Sequence, residues 1–383
     1  MTPIYLDNAA TTPIAPEVVE AMIPYLKEEF GNPSSIHQLG NKTRVAIEES
    51  RKKVAELLNA HPSEIFFTSG GTEANNMALI QSVLDLGVKE IISTPIEHHA
   101  VEHTIQAMEK RNWIKVKWLS VNKLGQIDLD ELENILKNQK VTTLVSIMHA
   151  NNEIGTLNPL KRIAELCKEY KSYFHSDTVQ TVGHFEMDLK NTPVDFIAAS
   201  AHKFHGPKGV GFIYINKNVK IKPFINGGAQ ERNMRGGTEN VAGIVGLAKA
   251  LELAYQNLKQ DMNYIKELKN YAIERLCESI PDMQFNGPTN EKALYTVLNC
   301  SFPAHPQGMM FLYKLDIAGI CASAGSACSS GSNVGSHVLK AIGAPSDRHA
   351  IRFSFSKYNT KEEIDKVVNL MKEIYSSVKV QSH

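Results

Sequence analysis

A lysine and an aspartate, each at the end of an apolar run, have the side chains that a pyridine-based cofactor requires. Lys203 closely follows residues 196–199, and Asp177 follows residues 173–176. A lysine amine can form a Schiff base and a carboxylate can keep a ring nitrogen protonated, the pair that pyridoxal phosphate requires. Burial would also lower the proton affinity of the amine. The pair indicates a pyridoxal 5'-phosphate site, the alternatives being a surface lysine and a helix-capping aspartate.

A glycine pair marks a possible phosphate site. Gly70 and Gly71 lie between a predicted strand at 65–68 and a predicted helix at 73–85. Glycines let the backbone approach a ligand closely, and a helix N-terminus offers free N–H groups to a phosphate. An ordinary strand-to-helix turn is the alternative.

Cys328 has the surroundings of a reactive thiol. The five cysteines are an odd number without zinc-ribbon spacing, so neither a disulfide framework nor a structural zinc site is expected. Residues 319–332 are rich in glycine and serine, which suits an accessible loop, so Cys321 and Cys328 compete for the role of nucleophile. Cys167, Cys277 and Cys300 suit the core positions usual for cysteine.

Alternating strand and helix patterns would position these residues. Strands are predicted at 65–68, 91–93, 144–148, 173–176, 196–199 and 211–215. Short apolar strands alternating with helices predict an α/β fold with a mainly parallel sheet covered on both faces. Ligands collect beyond the carboxyl ends of such strands, where the polar segments lie. A long helix from residue 245 to about 279 would join a second, α+β domain.

The length and composition of the chain indicate how many domains it has and which partners to expect. A chain of 383 residues suggests two or three domains. Lysine plus arginine equals aspartate plus glutamate at 41 each, so neither nucleic acid nor an anionic membrane is an expected partner. The sequence has no apolar run of membrane-spanning length and no signal-peptide pattern at its start. We therefore expect a cytoplasmic enzyme with reduced thiols.

Five motifs together resemble the cysteine desulfurases of the class V aminotransferases. They are YLDNAATTP, FTSGGTEANN, HANNEIG, SDTVQ and SAHKFHGPKGVG, in that order, and the resemblance runs from about residue 3 to 375. It implies the fold type I pyridoxal-phosphate transferase fold, with a large domain at 16–260 and a small domain at 261–383. Residues 1–15 would pack with the small domain.

The same resemblance implies the reactive cysteine and the reaction. The pattern GSAC places the nucleophile at Cys328, in a catalytic loop at about 321–336. The length of this loop is similar to that of the nitrogen-fixation and housekeeping type. L-cysteine would become L-alanine, and the sulfur would pass as a persulfide on Cys328 to an acceptor protein. That acceptor would be an iron–sulfur scaffold or a tRNA-thiolation enzyme.

The resemblance also implies roles for the other site residues. Lys203 would hold the cofactor and move the substrate proton, and His98 would stack on the ring and serve the thiol as acid or base. The chain would be a homodimer, with Thr238 reaching the phosphate of the partner subunit. The other implied contacts are Asn152, Asp177 and Gln180 at the ring, Gly71, Thr72, Ser200 and His202 at the phosphate, and Asn32 and Arg352 at the substrate carboxylate.

Several alternatives stay open at this point. His98, His99 and His103 could bind a metal, but no HExxH pattern accompanies them, and we expect none. The chain could be a selenocysteine lyase, or another class V aminotransferase or lyase in which Cys328 is incidental. It could also be a non-catalytic binding module on this fold.

Overall fold

A computed structural model describes residues 3–324 and 335–378. Its strands fall into three sheets. In chain order they are β1 (Ile4–Tyr5), β2 (Ile65–Thr68), β3 (Glu90–Ser93), β4 (Lys115–Trp118), β5 (Thr143–Ser146), β6 (Tyr173–Asp177), β7 (Phe196–Ser200), β8 (Gly211–Ile215), β9 (Gln284–Asn286), β10 (Val297–Phe302), β11 (Ile320–Cys321) and β12 (His349–Ser354).

Helices cover the sheets and connect the strands. They are α1 (Pro16–Lys27), α2 (Gln38–Leu57), α3 (Gly71–Leu84), α4 (His99–Lys110), α5 (Leu129–Lys137), α6 (Leu160–Glu169), α7 (Gln230–Asn233), α8 (Val241–Gln256), α9 (Leu258–Ser279), α10 (Phe311–Ile317), α11 (His337–Ala341) and α12 (Lys361–Val378). Of these, α7 is a single turn in which Glu231 and Arg232 have left-handed φ angles of 45° and 55°. In the part of the chain that the structure describes, no helix has the length and apolarity needed to cross a bilayer.

The large sheet has seven strands in the order β2-β8-β7-β6-β5-β3-β4. Neighbouring strands are parallel except around β8, which runs antiparallel to both β2 and β7. Most of these strands are buried along their whole length, as expected where helices cover both faces. The mainly parallel sheet predicted from the sequence is therefore confirmed.

A second hydrophobic core lies outside this sheet. It combines Ile4 and Leu6 from the N-terminal segment with apolar side chains between Ile265 and Ile374. The antiparallel sheet β12-β10-β9 and the pairing of β1 with β11 belong to the same part of the molecule. The domain boundaries at residues 15 and 260 stay a prediction, and the shared core supports placing the N-terminal segment with the smaller unit.

Three sequence-based expectations need correction. The predicted helix from 245 to 279 is two helices, because Asn257 ends α8 and begins α9. Strand β4 was not predicted, since its two lysines, Lys115 and Lys117, break the apolar pattern; charged residues are common on such sheet edges. Cys277 is exposed rather than in the core, whereas Cys167 and Cys300 are buried.

Candidate active site

Asp177 is held by a chain of buried hydrogen bonds at the carboxyl end of β6. Its Oδ2 accepts from Asn75 Nδ2 at 2.7 Å, and its Oδ1 accepts from the backbone N–H of Val179 at 2.9 Å. The amide oxygen of Asn75 then faces His175 Nε2 at 3.0 Å, and His175 Nδ1 lies 2.9 Å from Ser146 Oγ. Each group therefore has a fixed place in one buried network.

The direction of these bonds follows from the carboxylate. Because an ionised carboxylate only accepts, Asn75 must present its N–H₂ to Asp177 and its oxygen to His175. His175 therefore donates from Nε2 and accepts from Ser146 at Nδ1. Burial lowers the pKa of His175 to about 3, so the ring is neutral and this tautomer is kept. The network fixes the carboxylate oxygens without adding a competing positive charge.

Lys203 lies at the end of a short 3-10 turn that follows β7. Its Nζ donates to the backbone oxygens of Ala9 and Ala10, at 2.6 and 2.8 Å. Gln180 Nε2 donates to the same oxygen of Ala9 at 3.0 Å. The N-terminal segment thus positions both the predicted Schiff-base lysine and the glutamine expected at the ring hydroxyl.

The predicted phosphate site is built around two glycines. Helix α3 begins at Gly71, and its N-cap is Gly70, with no side-chain cap among the described residues. A Cβ at Gly71 would lie 2.5 Å from a methyl carbon of Val179, and one at Gly70 would lie 3.6 Å from Ser200 Oγ. Only glycine therefore fits at position 71, and Ser200 lies beside the start of the helix, where the first N–H groups have no partner within the helix.

Thr72 and His202 are the other two predicted phosphate contacts. Thr72 is exposed in the first turn of α3. His202 Nδ1 lies 3.1 Å from Thr11 Oγ1, and burial together with Lys203 and Lys208 lowers the pKa of His202 to about 4. A neutral His202 can offer a hydrogen bond to a phosphate.

His98 is the N-cap of α4. Its Nδ1 accepts from the backbone N–H of Ala100 at 3.1 Å. Burial lowers the pKa of His98, against the opposing charge of Asp177. A neutral ring whose Nδ1 accepts must carry its proton on Nε2, so Nε2 is the atom of His98 that can give a proton.

Arg352 is almost fully buried on β12, with 1% of its surface exposed. Its Nη2 donates to Asp7 Oδ1 at 2.7 Å, and its Nη1 donates to the backbone oxygen of Asn152 at 3.0 Å. Its Nε is buried with no hydrogen-bond partner within the described residues. A buried donor without a partner is costly, so this edge of the guanidinium suits an incoming carboxylate.

Cys328 lies outside the described residues, but the chain on either side of it is described. Before it, Ser323 Oγ donates to Asp7 Oδ2 at 2.8 Å, and Ser323 pairs through its backbone with Arg352.

After Cys328, Ser336 Oγ donates to Glu153 Oε2, and His337 Nε2 lies 2.9 Å from the backbone oxygen of Glu97. Both flanks of the segment are therefore attached to residues beside the candidate site.

The competing thiol, Cys321, is half-buried on β11. Burial and the charges of Asp316 and Asp7 raise the pKa of Cys321. Since the thiolate is the nucleophile, this environment does not favour Cys321 as the reactive cysteine.

Two of the predicted site residues, Asn32 and Thr238, form no hydrogen bond with the other predicted site residues in the described part of the chain. Asn32 is exposed in the loop after α1, and its Oδ1 accepts from the backbone N–H of Ser34. Thr238 is exposed before α8. Nearby, Arg235 forms two hydrogen bonds with Glu73, at 3.0 and 3.2 Å, in the first turn of α3. The position of Thr238 therefore leaves its predicted contact with a partner subunit as a proposal.

Four residues of the site were not predicted from the sequence: Asp7, Asn75, Ser146 and His175. Asp7 and Asn75 fall inside motifs that were recognised, so their motifs were the available signal. Ser146 ends β5 and His175 lies within β6, and a single polar residue in a buried strand ordinarily indicates no function. Only their contacts show what they do.

These groups fit pyridoxal phosphate. A buried, oriented carboxylate can meet the ring nitrogen, a lysine amine lies near the carboxyl ends of the strands, and an uncapped helix N-terminus can receive a phosphate. The fold and this donor set together define a pyridoxal-phosphate enzyme of fold type I.

The aminotransferase class-V family model matches residues 4–367. The chain therefore belongs to the class V aminotransferases, and it is a pyridoxal-phosphate-dependent enzyme.

Similar proteins assign the chain to a group within this family. The cysteine desulfurase IscS of Dictyoglomus turgidum is 46% identical over 99% of this chain and 96% of its own length. The protein of the same name from Methanosarcina thermophila is 45% identical, over 99% and 93%. Within the class V family, the chain belongs with the cysteine desulfurases.

Solved structures agree. A NifS-like protein superposes with a TM-score of 0.90 at 39% identity, covering 98% of this chain and 100% of that one. SspA in complex with cysteine gives a TM-score of 0.79 at 32% identity, covering 93% and 100%. The fold type I architecture expected from the sequence is confirmed.

Proposed function

We propose that this enzyme is a cysteine desulfurase in which Cys328 takes the sulfur of L-cysteine and L-alanine is released. The observation that carries the role of Cys328 is the attachment of both flanks of its segment. Ser323 is bonded to Asp7, which also holds Arg352, and His337 contacts the backbone of Glu97, beside His98. The segment therefore begins and ends next to residues expected to bind substrate and cofactor.

Pyridoxal phosphate supplies an electron sink when it is bound. Asp177 would keep the ring nitrogen protonated, and the network through Asn75 and His175 holds the oxygens of Asp177 in place. Lys203 Nζ would hold the cofactor and would serve as the base that moves the proton of the substrate Cα. The N-terminal segment aids this step, since the backbone oxygens of Ala9 and Ala10 orient the amine.

Arg352 binds the substrate carboxylate, with Asn152 beside it. The Cys328 thiolate attacks the substrate sulfur. A sulfur–sulfur bond forms, the bond between Cβ and sulfur breaks, and its electron pair stays with the carbon skeleton that leaves as alanine. The carbon that keeps this electron pair takes up a proton, the Cys328 thiol gives one up on becoming thiolate, and His98 is the group proposed to assist this transfer through Nε2.

The persulfide on Cys328 then passes its outer sulfur to an acceptor protein. We propose an iron–sulfur scaffold or a tRNA-thiolation enzyme, in line with the relatives named IscS. The four described cysteines are free, and Cys328 must stay reduced to react, so the chemistry suits the cytoplasm.

We also propose a homodimer. Val19, Ile23 and Leu26 form an exposed apolar stripe on α1, which continues to Phe30 beside Asn32. Such a patch on an enzyme surface is typical of a protein interface. A partner subunit that covers this stripe would lie against the loop that holds Asn32. Thr238 would then reach the phosphate bound by the partner subunit.

The replacement Cys328→Ala tests the proposed reaction. We expect the variant to bind pyridoxal phosphate and to shift its absorbance on adding L-cysteine, but to release no sulfide or alanine. Cys321→Ala is the matched control and should keep its turnover. Mass spectrometry of the wild type after cysteine treatment should place one added sulfur on the peptide that holds Cys328. Full turnover by Cys328→Ala would show that the cysteine is incidental.

The same variant separates the second candidate activity. A selenocysteine lyase tolerates loss of this thiol, because selenium leaves its carbon more readily than sulfur. Turnover of selenocysteine by Cys328→Ala at the wild-type rate, with wild-type cysteine turnover negligible, would favour that activity. We expect cysteine turnover by the wild type instead.

A further inference from the structure

His99, Glu102 and His337 bring three metal-ligating atoms together beside the candidate active site. His99 Nδ1 lies 3.3 Å from Glu102 Oε2, and His337 Nε2 lies 3.6 Å from the same oxygen. All three ligand atoms lie within 4.8 Å of one another. None of the three residues takes part in the chemical steps proposed above, although His337 holds the chain that follows Cys328.

The two separations that involve Glu102 match a tetrahedral metal site. Zinc binds histidine nitrogen and carboxylate oxygen at about 2.0–2.2 Å, so two ligands at a tetrahedral angle lie about 3.3 Å apart. The distances from Glu102 Oε2 to the two ring nitrogens are close to this value. Two histidines and a glutamate also form a known zinc ligand set, with water in the fourth position.

The surroundings hold the ligands in place and leave room for an ion. The other oxygen of Glu102 accepts from Gln106 Nε2 at 3.0 Å, a contact that orients the carboxylate. The ring of His103 stacks on His99, with centroids 4.6 Å apart. The side chains of His99 and His337 are about one-quarter exposed, so an ion can enter from solvent.

Metal binding would change the hydrogen bonding of His337. In this structure its Nε2 lies 2.9 Å from the backbone oxygen of Glu97, where it donates a proton. A neutral imidazole binds a metal through the nitrogen that carries no proton, so the ring proton would have to move to Nδ1 and the hydrogen bond to Glu97 would be exchanged for the metal.

We propose that His99, Glu102 and His337 bind one divalent transition-metal ion of the Zn²⁺ class. The mixed nitrogen and oxygen ligands suit Zn²⁺, Ni²⁺ or Co²⁺ rather than Mg²⁺ or Ca²⁺, which prefer oxygen. The ion joins the start of α4 to the start of α11. His98 caps α4, and α11 follows the segment that holds Cys328, so the ion ties together the two chain segments that flank the proposed chemistry.

Isothermal titration of the holoenzyme with Zn²⁺ tests this site. The titration uses Cys277→Ser/Cys321→Ser/Cys328→Ser protein, which removes the cysteines that are not buried in the described core. We expect one ion per chain and a higher melting temperature with Zn²⁺. Mg²⁺ should produce neither effect.

Glu102→Gln and His337→Gln should each weaken Zn²⁺ binding by at least about tenfold, as expected on loss of a ligand. His103→Gln is the matched control, because it lies on the same helix and contacts His99 without joining the cluster; its affinity should stay within about threefold. Far-ultraviolet circular dichroism and cofactor absorbance show that each variant is folded. Zn²⁺ binding that is absent, or that survives both ligand substitutions unchanged, would overturn the proposal.

Discussion

Asp7 and Arg352 form an ion pair between residues that are 345 positions apart, with Asp7 Oδ1 2.7 Å from Arg352 Nη2. The pair joins the N-terminal segment to β12, and it places a counter-charge on the arginine proposed to bind substrate. Ser323 Oγ donates to the other oxygen of Asp7, so one carboxylate contacts both this arginine and the chain that leads to Cys328.

Asp7→Asn should lower the stability of the fold, because the buried guanidinium loses its counter-charge. Hydrogen bonds to charged groups contribute about 1.5–3 kcal/mol, and we expect a loss in that range from urea unfolding. Ser323→Ala is the control; it removes only the hydroxyl on the other side of Asp7 and keeps the pair of opposite charges, so it should cost less than Asp7→Asn. Equal losses would mean that the ion pair adds nothing beyond a hydrogen bond.

Arg352→Lys should raise the KM for L-cysteine at least about tenfold, a change of about 1.4 kcal/mol. Lysine lacks the planar fork that binds a carboxylate through two hydrogen bonds. Alanine formation measures the KM, and cofactor absorbance should not change. Arg348→Lys is the control: its partner is Asp282, and its KM should match the wild type. An unchanged KM for Arg352→Lys would remove it from the substrate site.

Glu231→Gln should destabilise the enzyme by about 3 kcal/mol, because it leaves Arg51 buried beside a neutral side chain. Arg51 Nη1 and Nη2 donate to the two oxygens of Glu231 at 2.8 and 3.0 Å. Glu231 also accepts from the backbone N–H of Phe67, at the start of the phosphate-site motif.

Glu48→Gln is the matched control for this variant. Glu48 contacts the same arginine through Nε but is more than one-third exposed, so its loss should cost no more than about 1 kcal/mol. Urea unfolding of the two variants measures the difference. Similar losses would show that burial does not strengthen the pair.

Glu97 should make stability depend on pH. Burial raises the pKa of its carboxyl from 4.5 to about 8. The folded chain then binds this proton more tightly than the unfolded chain, so its contribution to stability falls as pH rises from about 4.5 through about 8.

Glu97→Gln removes this titration and keeps an oxygen for Thr94 and the backbone of Met148. The stability of the variant relative to wild type should therefore increase between pH 5 and pH 8, as measured by urea midpoints. Gln256→Asn is the control, because it changes an exposed side chain of α8 that does not titrate, and its difference should stay constant. A constant difference for Glu97→Gln would contradict the raised pKa.

Leu26→Asp should weaken the proposed homodimer, because it places a charge in the exposed stripe on α1. Sedimentation velocity should show a dimer for wild type and a monomer fraction for the variant at micromolar concentration. Leu84→Asp, on an exposed site at the end of α3, should leave the dimer intact. A wild-type monomer, or an unaffected Leu26→Asp dimer, would count against this interface.

Local sequence patterns predicted the elements where burial dominates. The strands predicted at 65–68 and 211–215 match β2 and β8. A short run of apolar residues between turns favours a buried strand, because a sheet covered on both faces buries every residue of such a strand. The edge strand β4 and the break at Asn257 were missed. Strand β4 carries charged residues at the sheet edge, so it lacks an apolar run. The break at Asn257 is a single residue, so the hydrophobic pattern continues across it.

The sequence by itself determined which chemistry the chain could perform. Lys203 and Asp177 come at or just after the ends of predicted strands, and parallel strands end at the same edge of a sheet, so the sequence predicted both side chains at that edge. Only the tertiary structure decided which partners they and the other site residues have. The pairing of Asp7 with Arg352, of Asn75 with Asp177, and of His99 with His337 depends on packing between distant segments, which local spacing does not encode.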